Sequence, residues 1–545
     1  MKIVLKSTWI LMILCATHSF SQQTVGLFLN DPTSFQGYTL FGNNTHTYLI
    51  NNCGWIVNSW ISEYKPGNSI YLLENGNLLR TAQVEGAFDA GGFGGRFELF
   101  NWEGDLLWTY TYANDLVQAH HDIAPLPNGN FLAIAWEKHS ETEAKVLGRK
   151  FNGAVWSEKI IEIEMNGTNE ARIVWEWRLW DHLVQDQNST LANYGVIANH
   201  PELVDINYIE EGQETSGNWI HLNAIDYNET LDQIAVSSRL FSEIWIIDHS
   251  TTTLEAASHQ GGRYGKGGDL LYRYGNPQTY DRGTEEDRKF FYQHDIRWIP
   301  DGYPYGGKLM IFNNEKRNEA SSVEIWSPPV DVQGNYLLEE TKAFGPEELD
   351  WEYSAPGFYS RIMSGAQMLP NGNVFICEGT SGRFFEINEE NALVWEYINP
   401  VNRNGFPVAQ GGTVKFNQTF RATRYSPDFP AFHGRILTPI APVELNPWDI
   451  TCTTIGPVIT GLEVSSSSGI YLLGNPISAE IHLTVAPQHF GSEIYVYDQL
   501  GKRVKQLRTN RKQTQIDFSN ASPGLYFLKV VNDQGFIHIE KVIKK

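Results

Sequence analysis

The chain has 545 residues, a net charge of −22, and 13% Phe, Trp and Tyr. So acidic a surface repels nucleic acid and anionic membranes and excludes both as general partners, but leaves room for a small anionic substrate held by a few local cations. Forty-eight glycines, abundant aromatics and no long amphipathic helical segment point to an all-β protein of aromatic strands cut by tight turns.

Residues 1–21 read as a secretory signal peptide. Lys2 and Lys6 form its charged start, 9–16 its apolar core, and Ser19-Phe20-Ser21 its cleavage site, so Gln22 is the expected mature start. Loss of Lys2 and Lys6 would bring the charge to −24. The apolar core is too short to span a bilayer, and no other run is long enough, so no membrane span is expected. Cys53, Cys377 and Cys452 remain after cleavage. They are too few for a disulfide framework, but a bridge between Cys53 and Cys452 would tie together the ends of the large domain. No Cys-x-x-Cys and no Cys/His spacing marks a metal site.

Residues 24–40 read as irregular, and 47–60 as two strands without an inner hairpin. A repeat begins near residue 68. Hairpin turns fall at Asn75, Asn128, Asp301 and Asn371, where Asn-Gly or Asp-Gly separates apolar runs. Aromatic doublets then close each unit, at 105–112, 173–180, 269–277, 349–356 and 393–400. Five such units, each with room for four short strands, predict a β-propeller. A sixth blade would take its outer strands from 47–60 and its inner ones from the segment after 400, including 420–429. The expected division is a leader (1–21), a six-bladed β-propeller (22–445), a linker (446–465) and a small C-terminal β-sandwich (466–545).

The last module differs in charge, with ten Lys and Arg against six Asp and Glu. Its run of Gly474-Asn475-Pro476, then IYVYDQLGKRV (494–504), ASPGLYFLKV (521–530) and a basic tail closely resembles the type A sorting domain of the Bacteroidetes type IX secretion system. That resemblance implies export through the periplasm and the type IX machinery, ending in a secreted or surface-held protein.

A histidine recurs at one point of the repeat. His121, His221 and His294 each lie seven residues before a turn residue, Asn128, Asn228 and Asp301. The same count gives Asn68 and Ser364 in the other units. Inner strands of a propeller line one funnel, so these positions should ring it. Reflection through the hairpin brings Arg239 beside His221, and strand alternation puts Asn223 on the same face as His221. Alternation also turns His120 away from His121, unless a bulge exchanges them. Neutral imidazole is a nucleophile near pH 7 and a second imidazole can move a proton. Arginine offers a planar fork to tetrahedral oxyanions, and an amide adds a neutral donor. The set suits transfer of an anionic group. Arg421 and Arg424 have equal claims to the funnel and to blade closure.

HHDIAPLPNGN (120–130), His221-Leu222-Asn223 with Arg239 eighteen residues after His221, and QHDIRW (293–298) resemble the bacterial arylsulfotransferases. The resemblance implies a transfer of sulfuryl from an aryl sulfate donor to a phenolic acceptor, without a nucleotide sulfate, by a ping-pong route through a sulfohistidine. It implies His294 as the sulfated residue, His221 as acid/base, Asn223 and Arg239 as sulfate-binding residues, and His121 as a further active-site histidine. No cofactor and no metal are expected. Two rival readings stay open: a histidine-ligated metalloenzyme propeller, and a non-catalytic surface propeller binding carbohydrate or acting in adhesion. The glycine-rich runs 91–95 and 261–268 read as loops or turns.

Overall fold

The computed structural model describes residues 23–213, 217–316, 320–435, 437–447 and Cys452. In the C-terminal part it describes 470–473, 477, 479–485, 491–498, 502–509, 513–531 and 537–544. The expected leader, most of the expected linker and Gly474-Asn475-Pro476 lie outside the described residues. The chain divides into two compact units, Met1–Gly456 and Pro457–Lys545.

Five four-stranded antiparallel sheets and one of five strands make up most of the first unit. The second to fourth sheets begin at inner strands Pro66–Leu72, Val117–Pro125 and Leu222–Asn228, and the fifth and sixth at His294–Trp298 and Gly365–Met368. The first sheet takes its inner strand, Ala422–Tyr425, from the far end of the unit and the rest from Tyr38–Asn43, His46–Asn51 and Ile56–Ile61. Each inner strand packs beside the next, and the ring closes where Tyr38–Asn43 meets Pro66–Leu72. The result is a propeller-like all-β fold.

Two expectations need correction here. Residues 24–40 are not irregular throughout. Gly26–Asn30 adds a fifth strand to the sixth sheet, and Tyr38–Asn43 is the second strand of the first. The segment after 400 therefore supplies one inner strand and not two. Cys53 and Cys452 form a disulfide across this closure.

Local chemistry explains the repeat. Gly76, Gly129, Gly302 and Gly372 hold φ between 86° and 89°, a conformation that costs glycine little. At Asn75, Asn128 and Asn371 the side-chain oxygen accepts the backbone N–H two residues on and pins the turn. The aromatic doublets are the fourth strands of their sheets, counted from the inner one. Their tryptophans reach across sheets: Trp108 Nε1 donates to the Glu170 carbonyl at 2.8 Å, Trp177 to Gly268 at 2.7 Å and Trp395 to Asn52 at 2.8 Å. A buried indole N–H needs such an acceptor. The core is a ring of six apolar layers, one between each pair of neighbouring sheets, such as Ile134, Trp177, Leu222 and Trp245 between the third and fourth.

The second unit is a small sandwich. One sheet holds Ile470–Leu473, Glu480–Val485 and Gln513–Asp517; the other orders Arg503–Arg508, Glu493–Asp498, Gly524–Val531 and Ile537–Lys544. Ile481, Leu483, Ile494, Val496 and Leu528 share its core. Among the described residues no helix is long and apolar enough to cross a membrane.

Candidate functional site

The inner strands are bulged where the histidines sit. Asn68, His121, His221 and Ser364 hold φ of 99°, 48°, 58° and 87°, and Asp295, next to His294, holds 59°. Strand register slips at the same places, between Leu222 and Ala224, between His294 and Arg297, and opposite Ala133–Ala135. A bulge re-aims a side chain out of the pleat. Left-handed backbone at a non-glycine residue costs about 1–3 kcal/mol and gathers at functional sites.

The bulges bring three imidazoles together. The His121 and His221 rings lie 4.7 Å apart, and Phe420 sits 6.2 Å from His121 and 6.5 Å from His294. All three histidines are buried. The Arg239 N–H donates to the His221 carbonyl at 3.0 Å, which fixes the arginine beside it. Its guanidinium lies 4.7 Å over the Tyr292 ring and makes no ion pair among the described residues. Burial, then the Arg239 charge, pushes His294 down to about 3, and the same two causes push His221 well below the usual imidazole range. Burial, then His221, does the same to His121. The site holds neutral imidazoles beside a cation that makes no ion pair among the described residues, electrostatics suited to an anion.

Hydrogen bonds select the tautomers. His294 Nδ1 faces the Asn314 side-chain oxygen at 2.7 Å and the Tyr292 carbonyl at 3.1 Å, two acceptors, so Nδ1 carries the hydrogen. Nε2 carries the lone pair and, among the described residues, accepts one long hydrogen bond, from the Met363 N–H at 3.3 Å. His221 Nδ1 meets Asn218, with Nδ2 at 2.7 Å and Oδ1 at 3.1 Å.

His120 supports His121 from behind. Its ring stacks on Trp136 at 4.0 Å, its Nδ1 lies 2.9 Å from His121 Nδ1, and its Nε2 lies 2.8 Å from Glu158 Oε2. Glu158 is fully buried, and its other oxygen accepts the Leu222 N–H at 2.9 Å. Burial pushes the Glu158 carboxyl well above its usual range, which favours its protonated form, and pushes His120 well below the usual imidazole range. In that form Glu158 donates to His120 Nε2, which leaves His120 Nδ1–H to donate to His121 Nδ1 and puts the His121 hydrogen on Nε2. The aspartates after His121 and His294 serve a layer below. Arg421 Nη2 meets Asp122 at 2.8 Å and its Nε meets Asp295 at 2.7 Å, while Tyr71 donates to Asp122 at 3.2 Å. Burial works against the Arg421 charge, but Asp122 and Asp295 override it.

The structure thus gathers His121, His221, His294 and Arg239. Asn223 differs from expectation, because the bulge breaks the alternation that put it on the face of His221. Its Nδ2 donates to the Gln293 carbonyl at 2.7 Å, next to His294, and its Oδ1 is buried without a hydrogen-bond partner among the described residues. His121, not His120, meets His221. Arg421 lies beneath the site, and Arg424 belongs to the closure, bonded to Glu386 at 3.2 Å and stacked 4.3 Å from Trp395. The run 91–95 is more than a turn. The Gly92 carbonyl accepts the His121 N–H at 2.8 Å, and a Cβ on Gly92 would lie 1.9 Å from the imidazole. Phe420, Gly92, Glu158 and Asn314 were missed in the sequence; the repeated His-Asp pair was the one available hint of the lower layer.

Comparison with known proteins gives one match over most of the chain. Residues 42–415 match the family model described as arylsulfotransferase (ASST), and 467–545 match a secretion-system C-terminal sorting domain. No curated protein matches the sequence. Similar solved structures include a protein of unknown function from Bacteroides caccae, at 13% identity and TM-score 0.38, covering 72% of this chain and 99% of that one. A catalytically inactive virginiamycin B lyase from Staphylococcus aureus is 11% identical with TM-score 0.32, covering 69% of this chain and 89% of its own. A putative 6-phosphogluconolactonase from Bacteroides fragilis is 12% identical with TM-score 0.33, covering 72% and 99%.

Proposed function

Because the chain belongs to the arylsulfotransferase family, we propose that it moves a sulfuryl group from an aryl sulfate to a phenolic acceptor through a sulfated His294. One observation carries this reading: among the described residues the Arg239 guanidinium stands without an ion-pair partner beside imidazoles held neutral, one of which, His294, carries its lone pair on Nε2.

The donor sulfate takes the empty counterion position at Arg239, whose fork matches tetrahedral oxygens. His121 Nε2–H adds a neutral donor, and the Asn223 amide holds the Gln293 carbonyl next to His294. Phe420 offers a ring face to the aryl group. Bound negative charge offsets Arg239 and raises the proton affinity of His221, which takes up a proton as the donor binds. The His294 Nε2 lone pair attacks sulfur, the N–S bond forms, the aryl S–O bond breaks, and the leaving phenolate receives the His221 proton. In the second half the acceptor phenol gives its proton to His221 while its oxygen attacks sulfur. The N–S bond breaks and His294 returns to its neutral form. General acid–base help of this kind is worth about 10²–10⁴-fold. The sorting domain supports export by the type IX machinery, with the site acting at the cell surface or in the medium.

The test is nitrophenol release from p-nitrophenyl sulfate by the purified protein, with and without phenol, beside His294→Ala. Phenol-dependent release that the variant lacks is the expected outcome. Equal release by both proteins, or none over a panel of aryl sulfates, contradicts the reading.

A further inference from the structure

A second histidine cluster lies between the last strands of the third and fourth sheets, on segments the proposed reaction does not use. His182 follows the strand Glu170–Arg178, and His259 and Asp269 flank the glycine-rich run 261–268 that precedes Tyr272–Tyr274. The three residues lie 77 and ten positions apart, so no ligand spacing shows in the sequence.

Two nitrogens converge on one oxygen. His182 Nδ1 lies 2.8 Å and His259 Nδ1 2.7 Å from Asp269 Oδ1, and the three donor atoms all fall within 4.8 Å of one another. The other His182 nitrogen, Nε2, lies 2.8 Å from the Ala256 carbonyl. A carbonyl can only accept, so Nε2 carries a hydrogen and Nδ1 is left facing the carboxylate oxygen. Either a proton or a metal ion can join the two. An N–H anchored on a carbonyl is also the usual support of a metal-bound imidazole, since it fixes tautomer and ring orientation. Trp177 holds the ring from one side, nearly parallel at 3° and 5.7 Å. Gly268 closes the other approach, where a Cβ would lie 2.0 Å from the Ala256 carbonyl and 2.6 Å from His182 Nε2. Asp269 Oδ2 makes no hydrogen bond among the described residues. His182 is fully buried and His259 is 61% exposed, so the cluster has a rigid wall and an open door.

We propose that His182, His259 and Asp269 bind a single zinc ion that clips the glycine-rich loop to the third sheet. Two imidazole nitrogens and a carboxylate oxygen are ligands zinc favours, and water completes the tetrahedron on the open side. Zinc bonds of about 2.0–2.1 Å put neighbouring ligand atoms roughly 3.3 Å apart. The cluster therefore opens by about half an ångström on binding, a movement the exposed His259 side chain can supply.

The test uses the full chain, freed of metal with a chelator and titrated with zinc chloride by calorimetry, with melting temperature followed in parallel. Wild type should take up one zinc ion that raises the melting temperature. His259→Ala removes an exposed ligand from outside the core. It should melt like metal-free wild type, bind one fewer zinc ion and keep sulfuryl transfer. Asp269→Asn should weaken zinc by more than the roughly 10–100-fold seen for loss of an outer-shell partner. Equal zinc stoichiometry in wild type and His259→Ala, including zinc held by the funnel histidines, overturns the proposal. So does a wild type that takes up no zinc. A failure of sulfuryl transfer leaves this result untouched, because the two sites share no residue.

Discussion

The two histidine clusters use the same side chain for opposite ends. In the funnel, His121, His221 and His294 touch no carboxylate among the described residues, and their charged neighbour is Arg239. At the outer edge, His182 and His259 both aim Nδ1 at Asp269. Burial, reinforced by a nearby cation, keeps an imidazole neutral and leaves a lone pair for chemistry. A carboxylate beside it calls for a proton or a metal ion. Partner charge, more than the histidine itself, decides the role.

The comparison can be broken from either side. The largest effect should come from His294→Ala, which removes the lone pair; steady-state turnover should fall by roughly 10⁴–10⁶-fold, whereas His259→Ala should leave it within about twofold. Arg239→Lys should cost roughly 10²–10³-fold in kcat/KM, because a point charge replaces a fork of donors. Gly92→Val should displace His121, since Gly92 holds φ of 85° and its Cβ would meet the ring at 1.9 Å. A misplacement of about 1 Å is worth roughly 10²-fold in rate.

Protonation sharpens the same contrast. The folded funnel histidines have depressed pKa values, with His294 at about 3. Between that value and the ordinary imidazole range the unfolded chain binds more protons than the folded one, so stability rises with pH across this window. It is fully present above about 6.5 and is lost as pH falls toward 3, by about 1.4 kcal/mol per pH unit for each such group. Urea unfolding at stepped pH should show the loss, and His294→Asn should reduce its slope. The smallest effect belongs to Glu158→Gln. A protonated carboxyl and an amide donate alike to His120, so turnover should fall by less than tenfold, with Glu158→Ala much worse. A large loss in Glu158→Gln would mean an ionised Glu158 and the reverse chain of tautomers.

Much of the fold was legible because its signals are local. An Asn-Gly turn and a closing aromatic doublet declare themselves within a dozen residues. The strand Tyr38–Asn43 did not, because its inner partner Ala422–Tyr425 lies nearly 400 residues away and nothing local marks the pairing. In the site, counting back from the turns found His121, His221, His294 and Arg239, since the hairpin fixes their register. It failed for Asn223, where a bulge interrupts the period of two. It could not find Glu158, which reaches His120 only after the second and third strands of the third sheet pair, or Gly92, whose loop lies over His121 by tertiary contact alone.

The most direct measurement is a single turnover without acceptor. Enzyme in excess of p-nitrophenyl sulfate should release nitrophenol once per active site, carry sulfuryl on the peptide containing His294, and discharge it to phenol added later. Nitrophenol that appears only when donor and phenol are present together, with no sulfuryl on His294, would contradict transfer through a sulfohistidine.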